Sequence, residues 1–317
     1  MIVLDGPDAR AALPMAAAIG AAREAMRATA GEHLRQPLRT VIDAGQAGFL
    51  GAMPVCLADP AEALFGVKTI VVKPGNPARG LPTHNGLVLL FDGDTGLPAA
   101  AVDAAVITEI RTAAVSAVAT DALARPGAAT LAIIGTGAQA RTHLEAMLAV
   151  RQISAVRICG RTPSRVTDFV QWASGHFDVP VTAASSPGDA DLICTVTASP
   201  SPVLPDARPG AHINAVGASR PGARELSPDL VARCRIIVDS RESALAEAED
   251  LIISGGQRAP IAASLGEVLL GTPGRTSPAD ITLFKSVGLA VQDLFAARAA
   301  VRNALSAGIG TQVPLRS

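Results

Sequence analysis

The chain has 317 residues, 27 basic and 28 acidic side chains, a formal net charge of −1, 49% hydrophobic residues and 17% charged ones. That balance excludes dominant disorder, which needs low hydrophobicity, and a nucleic-acid partner, which needs clustered Lys and Arg. No apolar run approaches the roughly 18 residues of a membrane span, and the start, MIVLDGPDAR, has no basic-then-apolar leader, so a cytoplasmic protein without a membrane partner is expected.

The length allows one large or two ordinary domains. The first 30 residues read as one helix, with Met15, Ile19, Ala22 and Met26 near helical spacing and Gly31 as its stop. Short strand-like runs follow at 39–43, 48–57, 66–72, 86–91 and 97–102, punctuated by Gly, Pro, Asn and Asp, and predict an antiparallel sheet. A helix is expected over 103–124, broken by Pro126-Gly127. From Ala128 apolar strands (131–134, 155–159, 191–196, 212–216, 236–239) alternate with helical stretches, including 163–175. This predicts an α/β fold with a Rossmann, doubly wound parallel sheet. From Asp280 onward the chain reads as helix, packed back on the first domain. The expected domains are therefore 1–124 completed by 290–317, and 125–289, which holds the doubly wound sheet. Cys56, Cys159, Cys194 and Cys234 lie far apart with no CxxC and no neighbouring His, and read as inert thiols rather than metal ligands. Only Lys68, Lys73 and Lys285 are lysines.

The strongest motif is a strand, then Gly135-Thr136-Gly137-Ala138-Gln139-Ala140, then a helix. Gly135 permits the tight turn, Gly137 lets the backbone approach a pyrophosphate, and Ala140 allows close helix–strand packing. The helix N-terminus then faces the anion. An NAD site usually ends the second strand with an acid to hold the ribose 2′-hydroxyl. Here the strand ends Cys159-Gly160-Arg161-Thr162-Pro163-Ser164-Arg165. Arg161 can pair with a 2′-phosphate, with Thr162 and Arg165 as further donors, so NADPH is expected as the preferred cofactor and NADH as a possible one; the alternative is that both arginines are solvated surface charges. Thr195, Val196, Thr197, Val216 and Gly217 should line the nicotinamide side, with Ser286 and Gly288 returning near it.

Further motifs occur in order: VVKPGNP (71–77), GLP (80–82), LFD (90–92), TGLP (95–98), ITEIRTAA (107–114), then the glycine turn. Over nearly the whole length the chain resembles the ornithine cyclodeaminase/mu-crystallin family. The resemblance implies a homodimer, a substrate and dimerisation domain built from 1–124 and 290–317 beside the central Rossmann domain, and a substrate α-carboxylate held by Arg39, Lys68 and Arg111. Independently, each of these charges lies in a strand or helix that is otherwise largely apolar, which is costly unless paired; Asp43, Asp103 and Glu109 are candidate structural partners.

One departure shifts the expected chemistry. The cyclodeaminase carries an Asp after the fifth Rossmann strand, where this chain has Ser219, which cannot act as a carboxylate base at neutral pH. The segment resembles the ketimine reductase branch instead. The implied reaction is reduction of a small cyclic imino acid, Δ1-pyrroline-2-carboxylate or Δ1-piperideine-2-carboxylate, to L-proline or L-pipecolate. Lys68 is the first candidate for proton exchange with the imine nitrogen, and Ser219 a weaker one. Met53, Val55 and Phe49 are candidate wall residues; His84 reads as surface or lid. The alternatives are a cyclodeaminase, another amino-acid dehydrogenase of the family, or a non-catalytic NADPH-binding protein.

Overall fold

The computed structural model describes residues 1–59, 62–218 and 222–314. The chain forms two compact units, Met1–Arg111 with Leu289–Ser317, and Thr112–Gly288. The division therefore falls inside a helix, between Arg111 and Thr112, rather than after residue 124. In chain order the first unit carries β1 (Ile2–Leu4), α1 (Gly6–Ala12), α2 (Met15–Ala28), β2 (Leu34–Arg35), β3 (Thr40–Asp43), β4 (Phe49–Asp59), β5 (Glu62–Val72), β6 (His84–Phe91), β7 (Pro98–Asp103) and the start of α3 (Ala104–Leu123). The second carries β8 (Thr130–Ile134), α4 (Ala138–Val150), β9 (Ala155–Cys159), α5 (Pro163–Ser174), β10 (Val181–Ala183), β11 (Leu192–Thr195), β12 (His212–Ala215), α6 (Pro228–Arg233), β13 (Cys234–Val238), α7 (Arg241–Glu247), β14 (Ile261–Ser264), α8 (Leu265–Leu269) and β15 (Ile281–Lys285). The first unit is completed by α9 (Ala290–Ala307) and β16 (Thr311–Gln312).

In the first unit the strand order is β16-β1-β7-β6-β5-β4-β2, with β3 on β4. All pairings are antiparallel except β1 with β7. The inner face of β4, β5 and β6 is buried at Met53, Val55, Gly66, Lys68, Val88 and Leu90, and α9 packs across these three strands. Gly66 sets how close that helix comes, because a Cβ there would lie 2.8 Å from Leu294 Cδ1. The opposite face leaves Ile42, Leu50, Phe65, Val71 and Leu87 exposed.

Three expectations are corrected. The first 30 residues are a strand and two helices, not one helix: Ile2–Leu4 pairs beside Ala100–Val102, and Pro14, which has no N–H to donate, separates α1 from α2. Residues 281–285 are a strand, not helix: the run ITLFK is buried throughout, as a strand covered on both faces must be, and the backbone reaches φ +84° at Gly288 before α9 begins. His84, read as surface or lid, is exposed, but it is the first residue of β6, paired with Val72, rather than part of a lid.

The second unit is an all-parallel sheet in the order β10-β9-β8-β11-β12-β15-β13-β14. Ile134 is level with Cys159 and Thr195, and Ala215 with Thr195 and Lys285. The loops after these strands therefore all leave one edge. The chain order reverses between β8 and β11, which is where such sheets open a binding crevice.

Candidate active site

Lys68 lies on the inner face of β5, between Met53 of β4 and Val88 of β6. It is 4% exposed. Its Nζ lies 2.6 Å from Asp293 Oδ2 of α9 and 3.5 Å from Thr108 Oγ1 of α3. Arg111, 6% exposed on α3, donates from Nε to Asp293 Oδ1 at 2.9 Å and from Nη1 to Gln292 Oε1 at 2.9 Å. Arg39 immediately precedes β3, and its charge, like that of Arg111, acts on Lys68. All three cations belong to the first unit; Lys68 and Arg111 meet at the buried carboxylate of Asp293, and the charge of Arg39 reaches Lys68.

The electrostatics follow from that count. Burial pushes the Lys68 ammonium down to about 8; Asp293 opposes the fall, while Arg111 and Arg39 add to it. Burial would raise the Asp293 carboxyl, but Arg111 and Lys68 together outweigh it and hold it below the usual carboxylate range. The two buried cations Lys68 and Arg111 share one buried carboxylate, an excess of positive charge that a substrate carboxylate would neutralise. The acids singled out from sequence serve elsewhere: Glu109 pairs with Arg10 at 3.0 Å, Asp103 accepts from Val106 N, and Asp43 accepts from Gly45 N. Gln292 and Asp293 were not among the candidates. Their signal was present, since Asp293 is the single acid of the Ala-rich α9.

The second unit supplies the phosphate turn. Gly135 has φ +128°, and a Cβ there would meet Val196 Cγ2 at 2.8 Å and Val196 O at 3.0 Å, so packing alone demands glycine. Gly137 is different: nothing lies within 4 Å of its Cβ position. It is exposed as the N-cap of α4, and the open space is where a pyrophosphate would approach the helix N-terminus. Gln139 Oε1 is buried with no hydrogen-bond partner among the described residues. Thr136 is half-buried and Ala138 exposed. Arg161, Thr162 and Arg165 are exposed after β9, with no acid at that strand end. These features fit a dinucleotide.

Buried carboxylates hold the strand-end loops. Glu225 accepts from Thr195 Oγ1 (2.9 Å), Thr197 N (2.6 Å), Thr197 Oγ1 (2.8 Å), Gly217 N (2.8 Å) and Ala218 N (3.3 Å). Burial raises its carboxyl, countered in part by Lys285 and Thr197. The hydroxyls of Thr195 and Thr197 are thus turned toward Glu225, leaving backbone, Val196 and Val216 to line the edge. Lys285 is fully buried and donates to Asp250 Oδ2 (2.8 Å) and Ala218 O (2.6 Å). Asp239 Oδ2 accepts from Ser286 Oγ, Val287 N and Gly288 N at 2.8, 3.0 and 2.8 Å. Ser286 therefore bonds Asp239. Ser219 lies outside the described residues.

A family model for the ornithine cyclodeaminase/mu-crystallin family matches residues 3–308. The chain belongs to that family. Among curated members it is 42% identical over 269 residues to the mouse (Mus musculus) ketimine reductase mu-crystallin, covering 83% of each chain. It is 36% identical over 324 residues to a Bacillus cereus Δ1-pyrroline-2-carboxylate reductase, covering 99% of each. The Thermococcus litoralis Δ1-pyrroline-2-carboxylate reductase, solved with NADH and L-proline, superposes with a TM-score of 0.91 at 34% identity, covering 99% of this chain and all of that one. The family assignment and the α/β fold thus agree with the reading from sequence.

Proposed function

We propose that this family member reduces a small cyclic ketimine acid, Δ1-pyrroline-2-carboxylate or Δ1-piperideine-2-carboxylate, to L-proline or L-pipecolate. The observation that carries this reading is the buried pair of Lys68 and Arg111 on the single carboxylate of Asp293, with the charge of Arg39 near enough to act on Lys68. Such a cluster favours one small anion and holds an ammonium close by. Arg39 and the guanidinium edge of Arg111 not used on Asp293 and Gln292 take the substrate carboxylate, fixing the ring. Lys68 faces the ring nitrogen as proton donor, and Met53, its cross-strand neighbour, forms apolar wall.

A bound NAD(P)H would supply the hydride. Gly135, Thr136, Gly137, Ala138 and Gln139 hold its pyrophosphate, and Val196, Val216 and Gly217 its nicotinamide end. Arg161, Thr162 and Arg165 give NADPH the advantage over NADH through the 2′-phosphate. A cyclodeaminase is disfavoured by Ser219, where that enzyme has an Asp. A second copy of the chain covers the exposed apolar strand face of the first unit, whose five large side chains (Ile42, Leu50, Phe65, Val71 and Leu87) form one patch; the protein in solution should have twice the 32.1 kDa mass of the chain.

Lys68→Ala and Arg111→Ala should each lose at least about 100-fold of imine reduction while binding NADPH by fluorescence as the parent does. Full activity in both overturns the reading. Ammonia release from ornithine with no net change in cofactor would favour the cyclodeaminase.

A further inference from the structure

We propose that Asp293 is a positioning residue for catalysis: it aims the Lys68 ammonium at the substrate nitrogen and keeps it charged until the proton is needed. The inference rests on the imine-reductase reading above. Asp293 Oδ2 lies 2.6 Å from Lys68 Nζ, and its other oxygen accepts from Arg111 Nε at 2.9 Å. One carboxylate thus orients both the nitrogen-facing lysine and the carboxylate-facing arginine. The aim is stiff because Asp293 is 1% exposed in the first turn of α9, and Gly66, two residues from Lys68, lets that helix seat directly on β5. Next to Asp293, Gln292 Oε1 fixes the far end of Arg111.

The remaining surroundings of Lys68 push the other way. Met53 and Val88 on the flanking strands are apolar. The charged groups facing it are Asp293 from α9, Arg111 from α3 and Arg39 from the segment before β3. Two of the three are cations, so without Asp293 a buried amine here would shed its proton. With Asp293 it stays charged to about pH 8, within reach of a donor working near neutrality. In the transfer an N–H bond forms on the substrate nitrogen as one on Lys68 breaks. Lys68 is left as a neutral amine, and solvent water restores its proton; no electrons change hands in this step.

The test exploits a chain with three lysines. In protein labelled with [13Cε]lysine, the Lys68 signal, assigned by its absence in Lys68→Arg, should titrate near pH 8 in the parent and at least one pH unit lower in Asp293→Asn. The alkaline limb of kcat should move down with it, and kcat at pH 7.5 should fall at least tenfold, with KM for the imino acid within about threefold. Asp293→Glu, which keeps the charge but lengthens the arm, should restore the midpoint and not the rate. It carries the test if Asp293→Asn does not fold. A loss of stability with midpoint and pH limb unmoved, or full kcat in Asp293→Glu, overturns the inference. A parent enzyme that reduces no cyclic imine overturns the functional reading, and the donor role with it.

Discussion

Gly135 and Gly137 look equivalent in the motif, and the structure separates them. Gly135 is required by its own protein: its backbone is in the positive-φ region, and its Cβ position collides with Val196. Gly137 has only open space beside it. Gly137→Ala should therefore leave the melting temperature within about 2 °C of the parent and weaken NADPH binding at least tenfold, read by fluorescence titration. Gly135→Ala should lower both stability and binding, since a non-glycine residue at strained φ costs about 1–3 kcal/mol before any clash is counted. At the adenosine end, Arg161→Ala should reduce the NADPH-over-NADH ratio of kcat/KM by roughly tenfold to a hundredfold, the worth of one charge-assisted contact. An unchanged ratio would return Arg161 to the solvated surface. At this scale the sequence was legible in placement: the glycine turn lies between β8 and α4, and Lys68 and Arg111, singled out together, meet at one carboxylate. The signal for Asp293, a lone acid in an alanine-rich helix, goes unread because such an acid looks like a solvated one until the helix is seen to face a sheet.

Among the elements, β10 and β14, short and partly exposed, write no apolar run and were not named, whereas β8, β9, β11, β12 and β13 were legible because a parallel sheet covered on both faces writes continuous apolar runs. The failure at 281–285 has the same origin. A short apolar run beside an Ala-rich helix has no periodicity to separate strand from helix, and only its pairing with β12 and β13 decides. The polar struts at the strand ends were also hidden, because Glu225, Asp239 and Asp250 are distant in sequence from most groups they bind. They make the loops at this edge depend on single side chains. Asp239 Oδ2 alone takes three donors from the segment that leads into α9. Asp239→Ala strands those buried groups and should cost about 2–4 kcal/mol, seen as a lower urea midpoint. A midpoint within 0.5 kcal/mol of the parent (roughly a surface-substitution effect) would mean that water replaces the carboxylate.

For the molecule as a whole, buried histidines set the acid limit of stability. His143 sits with Nδ1 2.7 Å from Gln139 O and Nε2 3.0 Å from Ser116 Oγ, and burial lowers it to about 4. His212, beside Thr282 Oγ1, is lowered to about 3, chiefly by burial. Both are neutral when folded and take up a proton near 6.5 when unfolded. Their contribution is thus complete above about pH 6.5 and is lost as pH falls toward the folded values. By pH 5 each should have cost about 2 kcal/mol, so unfolding midpoints should drop between pH 7 and 5, and His143→Gln should flatten that slope. A parent protein equally stable at both pH values would show that other groups compensate.

The distribution of amines has a practical consequence. Lys68 and Lys285 are buried, while Lys73 is exposed. Reagents that acylate lysine side chains should therefore mark Lys73 and leave Lys68 and Lys285 unmodified. The enzyme can be conjugated to a bead or dye through that one side chain, and Lys73→Arg would remove the handle.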